Sequence, residues 1–275
     1  MNRVFRCAVL LLSGLLPLSG RATVQIPEVL VVGSDTLEMF AMPLESAPAG
    51  VRLRLEELLD AAQVRPNTAC RRGYVGLWRL ERGALWLEAV RTCAGRPVAT
   101  GAELLPLYAS GSAAWTPWVE GTIRCGSGDP VYAPPGGFER YLAHERQLTL
   151  RGGCVVRSSS YENRAYAGGV EPDENARRMR AAFDVSGAGR LPEEMTLDAT
   201  FAADASGRVV RVEHASLICR DGEETVVIED ADDPRLREAL RVLRAATRWN
   251  SCRVAGEWMA QHQVLPVYRR AVRCE

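Results

Sequence analysis

Residues 195–213 read MTLDATFAADASGRVVRVE, and this stretch decides the fold of the last part of the chain. Apolar and polar residues alternate over 195–201 and again over 208–213, as in strands that bury one face. Between these two runs lies Asp204-Ala205-Ser206-Gly207, which has turn composition. The stretch therefore predicts a β-hairpin.

A helix and a final strand are predicted after this hairpin. Asp233 is suited to cap the helix, and Pro234 is suited to its first position. Apolar residues then recur at helical spacing and predict one stripe that packs on the sheet; they are Leu236, Leu240 and Leu243. The helix is expected to end near Trp249, and residues 261–270 have the composition of a strand.

This order of elements resembles the C-terminal domain of TonB, a periplasmic protein that contacts outer-membrane transporters. The matching residues are Phe201, the turn and strand from Asp204 to Val212, the helix with Trp249, and the strand from Val264 to Tyr268. The resemblance covers residues 196–275 and implies a small ββαβ domain. A TonB energy transducer also has a membrane anchor and a Pro-rich spacer, which this sequence does not match, so energy coupling is not expected.

The resemblance implies that the final strand is a sheet edge that receives an extended segment of another protein by β-augmentation. The expected partner is an outer-membrane or other envelope protein. The edge residues expected to bind it are Val264, Leu265, Val267, Tyr268, Arg269 and Arg270. An equally open alternative is that the domain only completes a layer of helix on sheet.

Residues 24–165 are expected to form a β-rich domain, so that the whole chain is α+β. Its clearest feature is a hairpin with arms at 74–80 and 84–88 around Glu81-Arg82-Gly83. Cys70 and Cys93 flank the arms almost opposite each other, which predicts a disulfide at the open end of the hairpin. A loop of that size contributes roughly 3 kcal/mol in the chain-entropy argument.

The remaining cysteines predict further disulfides. Cys125 ends a strand-like run over 119–124, and Cys154 follows another over 146–150, so we expect them to pair. Cys219, Cys252 and Cys274 are expected to form one disulfide and leave one thiol, with the pairing open. No Cys-x-x-Cys pair occurs, which argues against a thioredoxin-like motif and a zinc ribbon.

The first domain also resembles an uncharacterised family of secreted bacterial proteins. The matching residues are Asp35-Thr36-Leu37, Pro43-Leu44-Glu45, Thr68-Ala69-Cys70, Arg72-Gly73-Tyr74, Trp78, Leu85, Leu87 and Cys93. This resemblance implies no known activity. The trio Arg72-Gly73-Tyr74 either lines a site or fixes the entry of a strand into the core.

The first residues and the charge balance predict a compartment. Residues 1–22 have a positive start, an apolar run and small residues before Thr23, as in a secretory signal. Basic and acidic residues number 34 each, which gives no reason to expect nucleic acid as a partner. We expect a periplasmic or secreted protein with no membrane span after removal of the signal, and a Gly- and charge-rich linker over 166–195.

Motifs for chemistry are sparse, and no enzyme is predicted. Ser127, His144 and Asp129 suggest a Ser–His–Asp arrangement, but three such residues lie near one another by chance in many chains. Glu56-Glu57 and Glu193-Glu194 are expected to be solvated. The chain contains no Lys, which excludes Schiff-base and Ser–Lys catalysis.

No metal or cofactor is expected either. Asp230, Asp232 and Asp233 lack the spacing of an EF-hand and fit a helix start better. A zinc site from the last three cysteines with His214 or His262 is a weaker alternative to a disulfide. The alternative to a binding protein is an envelope enzyme or ligand-binding protein with its site in the first domain, near Arg72, Tyr74 and Ser127.

Overall fold

The computed structural model describes residues 25–134, 138–186 and 190–270. The protein is a mixed α+β structure that is rich in strands and has several sheets. The expected signal at 1–22 and Cys274 lie outside the described residues.

The described residues form seventeen strands. They are β1 Glu28–Val32, β2 Asp35–Met39, β3 Tyr74–Glu81, β4 Ala84–Thr92, β5 Pro97–Thr100, β6 Ala109–Ser110, β7 Ala113–Trp115, β8 Gly121–Tyr132, β9 Tyr141–Arg151, β10 Cys154–Glu162, β11 Arg164–Tyr166, β12 Glu194–Ala203, β13 Val209–Asp221, β14 Glu224–Ile228, β15 Ser251–Val254, β16 Glu257–Trp258 and β17 Ala260–Arg269.

Four α-helices accompany the described strands: α1 Ala49–Ala61, α2 Gly101–Leu104, α3 Pro172–Ala182 and α4 Pro234–Ala246. The start of α4 agrees with its sequence, because the Asp233 side chain accepts a hydrogen bond from the backbone N–H of Arg235 and Pro234 occupies the first position. Helix α2 begins with a capping box between Thr100 and Glu103.

A ten-stranded sheet forms the N-terminal unit, which we define as residues 25–162. Its strand order is β10-β9-β8-β2-β1-β3-β4-β7-β6, with β5 beside β4. The sheet curls until β10 meets β4, where the backbone N–H of Leu85 bonds to Gly153 and that of Val155 bonds to Gly83. The curl encloses a core whose largest fully buried side chain is Trp78, packed with leucines of neighbouring strands.

The hairpin predicted around Arg82 is β3 and β4, and Cys70 is bonded to Cys93 across its open end. The two Cα atoms are 6.3 Å apart, within the range that a disulfide spans. The bond fixes the loop before β3, which includes Arg72, to the end of β4.

A four-stranded antiparallel sheet and two helices form the C-terminal unit, defined as residues 170–270. The strand order is β14-β13-β12-β17. Helix α4 packs on β13 and helix α3 packs on β17, and the two helices contact each other. One face of the sheet is thereby covered, and its core includes Phe201 against Trp249, with ring centroids 5.0 Å apart.

The segment 166–195 differs from the expected linker. It carries α3, and Ala176 and Met179 of that helix are buried in the same core as the sheet. The buried Asn175 side chain ties α3 to the chain after α4, because it accepts from the backbone N–H of Arg248 and donates to that residue's carbonyl. The C-terminal unit therefore begins near residue 170.

A small sheet joins the two units. Strand β11 leaves the N-terminal unit and pairs with β15 of the C-terminal unit, and β15 pairs with β16. The buried Asn163 precedes β11; its Nδ2 donates to Leu142 on one side and its Oδ1 accepts from the N–H of Ala255 on the other. None of the helices in the described ranges has the length and apolar character needed to cross a membrane.

Candidate functional site

The strand predicted to bind a partner is β17. It pairs only with β12 among the described strands, so it lies at the edge of the C-terminal sheet. It has ten residues, twice the length of β14 at the opposite edge. Val264 in its middle is 54% exposed, and His262 and Pro266 on the same side of the strand are exposed too. An edge of this length offers a row of backbone groups to an added strand.

The orientation of the backbone along β17 follows from Pro266. This residue has no N–H, so within a strand it occupies a position whose backbone points away from the neighbouring strand. Pro266 pairs in register with Thr196. Because antiparallel pairing alternates, the N–H and C=O groups of His262 and Val264 then face the open edge, whereas those of Gln263 and Leu265 face β12.

The last part of β17 is less open. Val267 is the extra residue of a β-bulge, since Tyr268 pairs with Met195 and Pro266 pairs with Thr196. Arg269 makes an ion pair with Glu194 at 2.9 Å, and the side chain of Arg270 bonds to the Leu191 carbonyl. Proline, bulges and charges are features that limit strand pairing at an edge.

The six residues predicted at this edge therefore divide into different roles. Leu265 and Val267 are buried in the core, and Tyr268 packs against it. Of these six, only Val264 combines an exposed side chain with an outward-facing backbone on the part of β17 before the bulge. Sequence reasoning omitted His262, although the alternation of residues 260–265 carries that signal.

A cleft of about 390 Å³ lies beside the start of β17, where the two units meet. Its lining is mostly apolar and comes from the end of β8, from β11 and β15, and from the first residues of β17; it includes Tyr132, Tyr166, Cys252 and Met259. The ring of Tyr166, which lines the cleft, packs against the ring of Trp258, and the two centroids are 5.4 Å apart. This position places an apolar cavity at one end of the open edge.

The expected Cys125–Cys154 disulfide is wrong for this structure, which has both as free thiols. Gly121 on β8 pairs with Leu150, near the turn before Cys154. Cys125 is four residues further along β8, roughly 13 Å away at about 3.3 Å per residue. This exceeds the span of about 7 Å between Cα atoms that a disulfide allows.

Of the three cysteines whose pairing the sequence leaves open, Cys219 and Cys252 are free thiols, and Cys274 lies outside the described residues. Cys219 lies in β13 of the four-stranded sheet, and Cys252 lies in β15 of the joining sheet, so the two belong to different sheets. Burial raises the pKa of both thiols, and it raises that of Cys125 to about 11. Thiols held protonated in this way are poor nucleophiles.

Arg72 is part of a buried polar cluster under the hairpin. Its Nε lies 3.0 Å from Oε1 of Glu28, which is 1% exposed, and its Nη2 donates to the carbonyl of Ile26. Glu28 also accepts hydrogen bonds from the Trp78 indole and from the backbone N–H of Gly76. Burial raises the pKa of Glu28 to about 7 and outweighs the opposing effect of Arg72.

This cluster favours the second reading of Arg72-Gly73-Tyr74, in which the trio fixes a strand entry. The guanidinium of Arg72 lies over the ring of Tyr74, 5.6 Å from its centroid, and also bonds to that residue's carbonyl. Tyr74 is 5% exposed. The guanidinium of Arg72 is thus occupied by Glu28 and by the carbonyls of Ile26 and Tyr74.

Ser127 and His144 are brought together, but Asp129 is not their third partner. Ser127 on β8 and His144 on β9 are direct partners in register, and His144 Nδ1 lies 2.8 Å from Oε2 of Glu162 on β10. Glu162 was not considered from sequence, because it is 35 residues from Ser127 and only strand register brings it close.

The described residues contain no group of three His, Cys, Asp or Glu side chains that could hold a metal ion. Asp233 caps α4, and Asp232 makes an ion pair with Arg237 on the surface of that helix. In comparisons with protein families, curated proteins and solved structures, nothing matches this chain.

Proposed function

We propose that this protein binds an extended segment of another envelope protein by adding it as a fifth strand beside β17. The observation that carries the proposal is the exposed, outward-facing edge at residues 260–265, with only β12 as its partner among the described strands. On this proposal the C-terminal unit is a TonB C-terminal-like domain, and the ββαβ core is extended by β14 and α3.

The surroundings of β17 support strand addition. Helices α3 and α4 pack on one face of the sheet, and no described strand other than β12 pairs with β17. The backbone groups of His262 and Val264 face that edge, and each pair of hydrogen bonds to an added strand contributes affinity. Pro266 and the bulge at Val267 stop the pairing, so the added strand is expected to be short and to lie beside residues 260–265.

The cleft near Tyr132, Tyr166 and Met259 supports a preference among partners. Strand addition gives affinity through the backbone, whereas selectivity comes from pockets that accept side chains. The cleft is mostly apolar and lies at the start of β17. The preferred segment therefore carries an apolar or aromatic side chain at the end that lies beside Ala260.

The expected compartment fits this proposal. Cys70–Cys93 is a bonded pair, and disulfides persist in oxidising compartments such as the periplasm and the exterior of the cell. The partner is then an outer-membrane or other envelope protein. The alternative of an enzyme with its site at Arg72 and Tyr74 loses support, because Tyr74 is buried and the guanidinium of Arg72 is held by the buried Glu28.

The test replaces Val264 by proline and by threonine. Val264→Pro removes one outward N–H without removing a bond to β12, so the fold is kept and binding weakens by about tenfold or more. Val264→Thr keeps the N–H and the preference for strand, so binding is retained. Thermal unfolding confirms that both variants are folded.

The partner is captured with a photo-crosslinking residue at position 264, and the matched control carries the same residue at Val227 on β14, which is 53% exposed. Envelope fractions of the producing cells are irradiated with each of the two proteins that carry the crosslinking residue. We expect one envelope protein crosslinked from position 264, absent from position 227 and competed by a peptide of its own crosslinked segment. Equal capture from both positions, or equal binding by the proline and threonine variants, would exclude β17 as the binding strand.

A further inference from the structure

Ser127, His144 and Glu162 form a row across three adjacent strands. Ser127 on β8 pairs in register with His144 on β9, and His144 pairs in register with Glu162 on β10. Directly opposed residues of antiparallel strands share one face and have Cβ atoms about 5 Å apart. The three side chains therefore project from the same face of the sheet, side by side and in the order Ser, His, Glu.

Further along β8 and β9 this face lines the core, whereas at the row it is open: the side chains of His144 and Glu162 are 62% and 67% exposed. Ile123 and Leu148, also register partners on β8 and β9, are both buried in the core of the N-terminal unit. Ser127 lies four residues after Ile123, and His144 lies four residues before Leu148, so alternation keeps them on the core side. The row thus occupies the mouth of the curled sheet, where its inner face opens to solvent. Such mouths are common positions for small-molecule sites.

An open cleft of about 290 Å³ contains all three side chains. The core residue Leu37 also lines it, and the ion pair between Arg146 and Asp35, at 2.9 Å, borders it. The charge of Arg146 is thereby neutralised. Leu37 gives the cleft an apolar part that suits an uncharged molecule, and Ser127, His144 and Glu162 give it polar groups near the reacting atoms.

The ring of His144 is oriented by Glu162. Nδ1 lies 2.8 Å from Glu162 Oε2, which leaves Nε2 at the opposite side of the ring. A Cβ added to Gly128 would lie 3.3 Å from His144 Cδ2 and 3.9 Å from Nε2, so this side of the ring lies beside the chain of β8 that directly follows Ser127. A base that takes the proton of a serine needs its free nitrogen on the serine's side.

The chain around Gly128 supplies a second requirement. Gly128 has a φ of +87°, in the left-handed region, and it falls with Asp129 in a register shift of β8 where neither has a partner on β9. The extra residues of a bulge are left out of the ladder. Backbone N–H groups that stand outside a ladder can serve as donors to an oxyanion.

We infer that Ser127, His144 and Glu162 form a nucleophilic triad that hydrolyses carboxylic esters with small, uncharged acyl groups. Ser127 Oγ adds to the ester carbonyl while its proton passes to His144 Nε2. The C–O bond of the ester then breaks, and His144 gives that proton to the departing alcohol. Water attacks the acyl-serine in the same way, which releases the carboxylic acid and restores Ser127. Glu162 holds the His144 ring and stabilises its charged form. This inference does not depend on binding at β17.

The test uses the full chain with 4-nitrophenyl acetate and butyrate, and a fluorophosphonate probe followed by peptide mass spectrometry. We expect hydrolysis and one probe adduct, on Ser127. Ser127→Ala and His144→Gln should each remove both the hydrolysis and the probe adduct. Glu162→Gln should lower kcat by about 100-fold, the usual contribution of an assisted base, with little change in KM.

A matched control separates this row from other serines of the same sheet. Ser158→Ala removes an exposed serine of β10 that does not line the cleft, and it should keep full activity. Circular dichroism and thermal unfolding confirm that each variant is folded. Hydrolysis equal in the original protein and Ser127→Ala, or a fluorophosphonate adduct on a different residue, overturns the inference.

Discussion

At the scale of single residues, Glu28 makes one contribution to stability that depends on pH. Its carboxyl is 1% exposed and its pKa is raised to about 7, because burial opposes its charged form more strongly than Arg72 and the Trp78 indole favour it. The folded protein holds this proton up to about pH 7, whereas the unfolded chain releases it near 4.5. Stability is therefore lost as pH rises through this window.

Replacing Glu28 by glutamine should remove this contribution. Between pH 5 and pH 7.5 the free energy of unfolding of the original protein should fall, relative to that of Glu28→Gln, by about 2 kcal/mol. Urea unfolding at both pH values measures the difference. Glu57→Gln, at an exposed position on α1, is the control and should show no such change relative to the original protein. A constant difference between Glu28→Gln and the original protein at both pH values would contradict the assignment.

At the scale of elements, helix α3 belongs to the C-terminal core and is more than a connection. Met179 is fully buried against the sheet, whereas Arg177 on the same helix is 69% exposed. Met179→Ala should lower the free energy of unfolding of the C-terminal unit by about 2–5 kcal/mol, the cost of a cavity at a buried site. Arg177→Ala should change it by less than about 0.5 kcal/mol.

Chemical denaturation of a chain starting at residue 168, monitored by tryptophan fluorescence, measures this prediction, because Trp249 and Trp258 are its only tryptophans and Trp249 is 2% exposed in that core. A chain starting at residue 168 should fold, and one starting at 196 should not. If Met179→Ala and Arg177→Ala were equally stable, or if the shorter chain folded alone, α3 would be a dispensable linker after all.

The elements that sequence could predict are those with local signals. The hairpins at Arg82 and at Asp204–Gly207 have turn residues between alternating runs, and α4 has Asp233 and Pro234 at its start. Gly207 shows why such a turn is specific: its φ is +77°, and its carbonyl accepts from the N–H of Trp249. A side chain there would also meet the Trp249 backbone.

The elements that sequence could not predict depend on contacts between distant strands. Residues 166–195 resemble a linker because glycine and charge dominate the composition, and the burial of Met179 comes from tertiary packing. The order of the ten strands, and hence the separation of Cys125 from Cys154, is set by non-local pairing. The same holds for Ser127 and Glu162, which meet only through β9.

At the scale of the whole molecule, the position of the apolar cleft beside β17 depends on how the two units are joined. Strand β11 carries the chain from the N-terminal unit to the C-terminal unit. Asn163 donates a hydrogen bond to the carbonyl of Leu142 in the N-terminal unit and accepts one from the N–H of Ala255 in the C-terminal unit. Asn163 is 3% exposed, so water does not replace these bonds easily. This side chain therefore couples the units at the wall of the cleft.

Asn163→Ala should loosen this joint while leaving both cores intact. The two backbone groups lose their partners at a cost of about 1–3 kcal/mol, so amide hydrogens of β11 and β15 should exchange about tenfold faster. Those of β12 and β13 should exchange as before, because their ladder does not involve Asn163. Hydrogen exchange with mass spectrometry measures all four strands at once. Arg164→Ala, exposed on β11, is the matched control and should leave exchange unchanged.

If strand addition at β17 uses the cleft, Asn163→Ala should also weaken peptide binding. The affinity for a peptide with an aromatic end should fall more than the affinity for its counterpart with an alanine end. Equal weakening of both would place the loss at the edge strand instead.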